Sequence, residues 1–365
     1  MKDKILFISN TYFQLLTAIQ LSMTEFKNFE VDFLISDHSI NAMKIVENME
    51  NTNIGGRVYY IESKNISFSR NKKEQLTNLL KVIHYKKTVK SIINLNFSVY
   101  CCFLFHNMDL FLYALFQKMK RDNPKLHIYR YEEGFSLYLY FNDKIKSERV
   151  CERIFPLMGG KSLRDSIEKI YLYHPEYLTY NIQYPIKKIS PIDKHNFRYK
   201  EVVNKVFEYT IFEEISEKFI IFEDCFFGDG HPINDYNLFL EIADAVGAYG
   251  TAIKLHPRNG TNRFKGTKCR ALETSSIPWE VIQMNNNYLD KVFLTVASGS
   301  VLASMLYFNE AIPTIFLYKV VGGKFKTKKN YTDYLEKICN NSNKTNVYIP
   351  ETKEELFELI EKLKR

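Results

Sequence analysis

The strongest constraint on the fold is an alternation: short, mostly apolar runs are each followed by a longer segment with apolar residues at helical spacing. Residues 4–9, 31–35, 57–61, 99–105 and 127–131 read as strands, and 12–23, 40–46, 74–93 and 110–119 as the helices between them. Such runs, bounded by polar turns, suit strands buried on both faces, and interleaved helices predict a parallel, doubly wound α/β sheet. The strand C-termini of that sheet would line a ligand crevice. The pattern lapses over 136–217, where Gly159-Gly160, Pro175, Pro185 and Pro191 interrupt it. It resumes with strands at 219–222, 251–255, 292–296 and 313–317, helices at 236–246, after Pro278 and from Ser298, and a charged amphipathic helix at 351–365. The expected layout is one α/β domain over 1–150, an insertion and linker over 151–217, and a second α/β domain over 218–365. At 365 residues the chain can bury two cores of ordinary size.

Charge narrows the partners. A net charge of +8 favours anions such as a nucleotide sugar, a lipid phosphate or a membrane surface. The 50 Lys and Arg are dispersed, and the short clusters at 86–90 and 324–329 read as solvated basic faces, so no nucleic-acid partner is expected. Six cysteines without a Cys-x-x-Cys pair suit reduced thiols in a cytoplasmic protein. The N-terminal apolar run is broken at Asn10 and Thr11, unlike a signal peptide, and no run of about 18 apolar residues occurs. Membrane contact is therefore expected to be peripheral, on an anionic surface. A homodimer is compatible with the sequence.

The residues able to carry chemistry cluster after the expected strands. His256 follows an apolar strand and has Lys254 and Arg258 on alternate positions, so all three could project toward one anion. His174 and His231 also precede proline but lack that context; the ordinary alternative for His256 is a surface or capping histidine. Ser298-Gly299-Ser300 turns a buried strand into a helix and would aim hydroxyls and N–H groups at a phosphate, or serve simply as an N-cap. Glu280, after Pro278, could accept hydrogen bonds from ribose hydroxyls or merely complement a helix dipole. Two carboxylates compete as general base. Asp229, between Gly228 and Gly230, is preferred because the glycines would let it approach a substrate closely; Glu133, in Tyr131-Glu132-Glu133-Gly134, is next. No Asp-x-Asp pair, zinc spacing, Gly-x-Gly-x-x-Gly or Walker loop occurs, so a leaving phosphate would be stabilised without metal by His256, Lys254 and the serine turn.

The order of these pieces resembles the bacterial sialyltransferases of glycosyltransferase family 52. Asn10-Thr11-x-x-Gln14-Leu15 is similar to that family's N-terminal turn. Tyr131-Glu132-Glu133-Gly134 is similar to the acidic-acidic-Gly motif shared by several bacterial sialyltransferase families, Lys254-Leu255-His256-Pro257 looks like their His-Pro motif, Pro278-x-Glu280 like their ribose contact, and Ser298-Gly299-Ser300 like their serine motif. Each motif is short, and the specificity comes from the set and its order along the whole chain. Relatives often have two adjacent serines, whereas here Gly299 separates them.

The resemblance implies a GT-B fold of two Rossmann-like domains facing a cleft, acceptor side first and donor side second. It also implies inverting, metal-independent transfer of sialic acid from CMP-sialic acid, with no resident cofactor. The acceptor would be a terminal sugar of a surface glycan, lipooligosaccharide or a capsule repeat. His256 would be general acid or phosphate ligand, Ser298 and Ser300 would hold the phosphate with Lys254 nearby, and Glu280 would hold the ribose. A UDP-sugar or other CMP-sugar donor, and a non-catalytic nucleotide or glycan binder, are the alternatives.

Overall fold

The computed structural model describes residues 3–39, 41–69, 71–140, 146–210, 213–323, 329–340 and 346–365, so most of the 324–329 basic cluster and Ile40 lie outside the described residues. The chain packs as two units. The first comprises Met1–Glu176, Tyr180–Ser190 and Glu201–Val206, and the second Tyr177–Thr179, Pro191–Lys200 and Phe207–Arg365.

The first unit is built on a seven-stranded sheet. Its strands are β1 (Lys4–Ser9), β2 (Glu30–Ser36), β3 (Val58–Ile61), β4 (Tyr100–Phe105), β5 (His127–Tyr131), β6 (Lys169–Leu172) and β7 (Ile186–Lys188). They lie in the order β3-β2-β1-β4-β5-β6-β7, every neighbouring pair parallel. Ile5 to Ile8 are buried, as a central strand covered on both faces requires. The helix Tyr12–Met23 starts at a capping box: Thr11 accepts from the Gln14 N–H, and the Gln14 amide oxygen accepts from the N–H groups of Asn10 (2.7 Å) and Thr11 (2.9 Å). The Asn-Thr-x-x-Gln turn is thus explained by backbone satisfaction.

Residues 151–217, expected as insertion and linker, contribute β6 and β7 to this sheet. Hydrophobic pattern misses them because both are short, and β7 is an exposed edge carrying Lys187 and Lys188. The expected single helix over 74–93 is two: Lys72–Ile83, capped by Asn71, and Tyr85–Ile92, with His84 leaving helical geometry at the joint.

The second unit carries a six-stranded parallel sheet formed by β8 (Phe219–Phe222), β10 (Thr251–Lys254), β11 (Cys269–Ala271), β12 (Val292–Thr295), β13 (Thr314–Phe316) and β15 (Val347–Tyr348). Its order is β11-β10-β8-β12-β13-β15, and a small antiparallel pair, β9 (Ile233–Asn234) with β14 (Gly322–Gly323), lies apart. Strand order reverses beside β8, whose neighbours β10 and β12 precede the histidine and serine motifs. In a doubly wound sheet that reversal is where a ligand crevice opens. Among the described residues no helix is long and apolar enough to cross a membrane.

Candidate active site

Three consecutive strand ends build the second unit's candidate site. After β8 the chain reads Glu223-Asp224, after β10 Leu255-His256, and after β12 Val296-Ala297-Ser298. Glu223 and Asp224 are both buried, and each holds one flanking loop. Glu223 Oε2 accepts from the His256 N–H (2.9 Å), while its Oε1 accepts from Arg263 Nε (2.8 Å). Arg263 in turn forks onto Asp235 (3.1 and 2.8 Å), so the Glu223 charge is compensated rather than left bare. Asp224 Oδ2 accepts from the Ala297 N–H and from Thr295 Oγ1 (both 3.1 Å), and Thr295 Oγ1 accepts from the Ser298 N–H (3.0 Å). The Asp224 carbonyl also accepts from Asn259 Nδ2 (2.9 Å), in the turn after His256. One dipeptide thus fixes both motif loops. Burial pushes the Asp224 carboxyl up to about 7 against those donors. Motif reading passed over Glu223 and Asp224; the signal was two acids directly after a wholly apolar strand.

His256 is half-buried and caps the short turn Pro257–Asn259, its Nδ1 accepting from the Arg258 N–H (3.2 Å). That bond assigns the ring proton to Nε2, leaving an N–H donor on the other side. Burial, reinforced by Arg258, pushes the ring down to about 4, so His256 is neutral near pH 7. Its chemistry is that of a neutral hydrogen-bond donor rather than a charged acid.

Lys254 departs from the sequence expectation. It lies inside β10, and its buried ammonium donates to the carbonyls of Ser275 (2.8 Å) and Ile277 (2.9 Å). Alternate positions share a face only while the strand continues, and this strand ends before His256. Lys254 therefore does not project with His256 and Arg258. Burial draws Lys254 down to about 8 against the opposing charges of Glu280 and Glu213. Lys254 instead fixes the turn leading to Pro278 and Glu280. Glu280 sits half-buried in the first turn of helix Trp279–Asn285, its carboxyl raised by burial and opposed by its own N–H and Lys254. That helix is anchored by Trp279, stacked on Tyr288 at 5.1 Å and edge-on to Phe222 at 4.7 Å.

Ser298 and Ser300 are half-buried, but the helix expected from Ser298 is a short 3-10 turn, Gly299–Leu302, followed by the six-residue helix Ala303–Phe308. Ser298 Oγ accepts from the Ser300 N–H (3.4 Å). A helix that short has little macrodipole, so the serine hydroxyls and the turn's backbone are what this segment offers an anion.

Asp229 is held close to the His256 loop. The Cys225 thiol donates to its Oδ2 (2.8 Å), and Arg258, 60% exposed, lies 3.5 Å away. The Cys225 hydrogen bond, seconded by Arg258, holds the Asp229 carboxyl below its ordinary value. Gly228 serves packing: a Cβ there would meet the Arg258 carbonyl at 2.6 Å.

The first unit gathers a second polar group at its strand ends, beside the reversal between β1 and β4. Asn10 accepts from Ser36 Oγ (2.7 Å) and donates to Asp109 (3.2 Å), and Ser36 Oγ meets His38 Nδ1 at 2.8 Å. Since Ser36 gives its proton to Asn10, His38 Nδ1 is the donor in that contact and Nε2 carries the lone pair. Glu133 accepts from Arg130 Nη2 (2.9 Å), and Arg130 Nε donates to the His106 carbonyl (2.7 Å). Burial raises Glu133 in spite of Arg130. Its neighbour Glu132 is wholly interior, accepting from Tyr138 (2.6 Å) and the Tyr173 N–H (2.7 Å), and is pushed up to about 8. Gly134 has φ +103, a conformation that favours glycine.

Asp229, Lys254, His256, Glu280, Ser298 and Ser300 thus belong to the second unit and Glu133 to the first. Among the described residues no group of three or more His, Cys, Asp or Glu is placed to hold a metal ion.

No sequence-family description matches the chain, and no curated protein matches it in sequence. Solved structures do match in fold. The glycotransferase of kitacinnamycin aligns over 99% of this chain and 90% of its own, with TM-score 0.57 at 9% identity. Phytolacca americana UGT2 aligns over 98% and 90%, with TM-score 0.54 at 10% identity. The GT-B domain of a sialyltransferase from Photobacterium damselae aligns over 95% and 99%, with TM-score 0.50 at 13% identity. With its parallel sheets of seven and six strands, the chain has the two-unit, Rossmann-like GT-B fold.

Proposed function

We propose that this chain is a glycosyltransferase that moves sialic acid from CMP-sialic acid to a terminal sugar of a bacterial surface glycan, lipooligosaccharide or a capsule repeat, with inversion. The observation that carries the reading is the second unit's strand-end group. A neutral His256 presents Nε2–H, the serine turn is half-buried, and both loops are pinned by Glu223-Asp224 at the point of strand reversal. An anionic leaving group is what such donors suit. The fold it shares with solved glycosyltransferases, one a sialyltransferase, supports glycosyl transfer, and the motif order supports the CMP-sialic acid donor.

In this mechanism the bond from the anomeric carbon to the CMP phosphate breaks, its electron pair passing to the phosphate oxygen. His256 Nε2–H and the hydroxyls of Ser298 and Ser300 donate to that oxygen, Arg258 supplies positive charge, and Glu280 accepts from ribose hydroxyls. The acceptor hydroxyl attacks the opposite face and yields its proton to a carboxylate. Proton affinity favours Glu133, raised by burial, over Asp229, held down by Cys225 and Arg258. No metal takes part in these steps, and the protein works in the cytoplasm. A second donor reading, a UDP-sugar, draws on a GT-B neighbour solved with UDP, TcCGT1, at TM-score 0.50 and 12% identity. Incubation with a panel of nucleotide sugars without acceptor separates the readings, since the true donor is slowly hydrolysed.

A further inference from the structure

The helix Lys72–Ile83 turns an apolar face outward. Leu76 and Leu80, four residues apart, are 60% and 51% exposed, and Phe68, just before the helix, is 64% exposed. The opposite face is the packed one: Val82 is buried, and Asn78 donates to the carbonyls of Asn65 (2.9 Å) and Phe68 (3.3 Å) and to Ser69 Oγ (3.2 Å). Those bonds tie the Phe68 loop to the helix, so the protruding side chains stand on one fixed surface. Lysines surround them. Residues 62–92 hold eight Lys or Arg against two Glu, concentrating most of the chain's +8 excess, and Lys64, Lys72, Lys73, Lys81, Lys86 and Lys87 are exposed.

We infer that this face of the first unit docks onto an anionic lipid bilayer, Leu76 and Leu80 entering the headgroup boundary and the lysines meeting lipid phosphates. Apolar residues on one helical face framed by lysine suit an interface that supplies both hydrocarbon and negative charge. A second copy of this chain fits less well, because a two-fold contact through the patch would set lysine against lysine. The face also continues to the sheet's strand ends, since the Phe68 ring lies 5.3 Å from that of His38, just beyond β2. Resting on the glycosyl-transfer reading, that continuity would bring a lipid-linked acceptor to the Asn10, His38 and Glu133 end of the sheet.

Flotation with vesicles of phosphatidylglycerol mixed in phosphatidylcholine tests the docking, comparing wild type with Leu76→Ser/Leu80→Ser. Wild type should float with these vesicles, not with phosphatidylcholine alone, and the double variant should partition at least ~10-fold less, as loss of buried apolar area dictates. Its circular dichroism and donor hydrolysis should match wild type. No flotation of wild type, equal flotation of the variant, or a wild-type dimer that the variant abolishes would overturn the inference. Vesicle binding without turnover of any nucleotide sugar would leave the docking standing and remove the glycosyl-transfer reading; turnover without vesicle binding would do the reverse.

Discussion

Glu223→Gln should loosen the histidine loop while leaving the fold intact. The wild-type carboxylate accepts from Arg263 Nε at 2.8 Å and from the His256 N–H at 2.9 Å. Glutamine keeps one acceptor oxygen and turns an NH₂ toward the other donor. Arg263 remains forked onto Asp235 and, being charged, should retain the oxygen, so the His256 N–H loses its partner. Losing a hydrogen bond to a charged group costs about 1.5–3 kcal/mol. At about 1.4 kcal/mol per factor of ten, amide exchange in the loop after β10 should speed up roughly 10- to 100-fold. Hydrogen–deuterium exchange on a peptide spanning 252–262 reads this directly, with a β1 peptide as control. In the donor hydrolysis assay the same variant should raise KM and lower kcat, as the role proposed for His256 at the leaving phosphate requires. Unchanged exchange at 252–262, or faster exchange with unchanged kinetics, would refute the argument that Glu223 positions His256.

His256→Ala should lower kcat by ~10²-fold or more, and His256→Gln, which retains an N–H donor, should lose less. Because burial holds the His256 ring down to about 4, it gains charge only as pH falls through that value, so its contribution to kcat should stay flat between pH 5.5 and 8; a limb near the ordinary histidine pKa that vanishes in His256→Gln would show a charged acid instead. Glu133→Gln should depress transfer by ~10²-fold or more at saturating donor and acceptor while CMP binding persists, whereas Asp229→Asn should be the milder change; the opposite order would return the base to the second unit. Excess EDTA should leave turnover unchanged, and loss restored by magnesium or manganese would sink the metal-independent mechanism.

Much of the fold was legible because parallel strands buried on both faces are written as apolar runs, and Ile5–Ile8 and Phe219–Phe222 are of that kind. β6 and β7 were hidden because a short edge strand with exposed lysines has the composition of a loop. The break at His84 left no proline or glycine to mark it. At the candidate site the motif positions were readable, and their chemistry less so. Lys254 looked like an anion ligand from alternation alone, but its ammonium is committed to the Ser275 and Ile277 carbonyls. Flanking glycines favour Asp229 as base, yet Gly228 packs against Arg258, and the carboxylate's proton affinity depends on the Cys225 thiol four residues away and on a guanidinium brought in by tertiary structure. Glu223 and Asp224 act through loops that lie far away in sequence, a relation no local pattern encodes.

The most direct test of the central claim is CMP release from CMP-sialic acid by the purified protein without acceptor. Slow release by wild type, strongly reduced in His256→Ala and accelerated by an acceptor glycan, is the predicted result. Release of UDP from a UDP-sugar with CMP-sialic acid untouched would contradict the donor assignment, and silence with every nucleotide sugar would contradict glycosyl transfer itself.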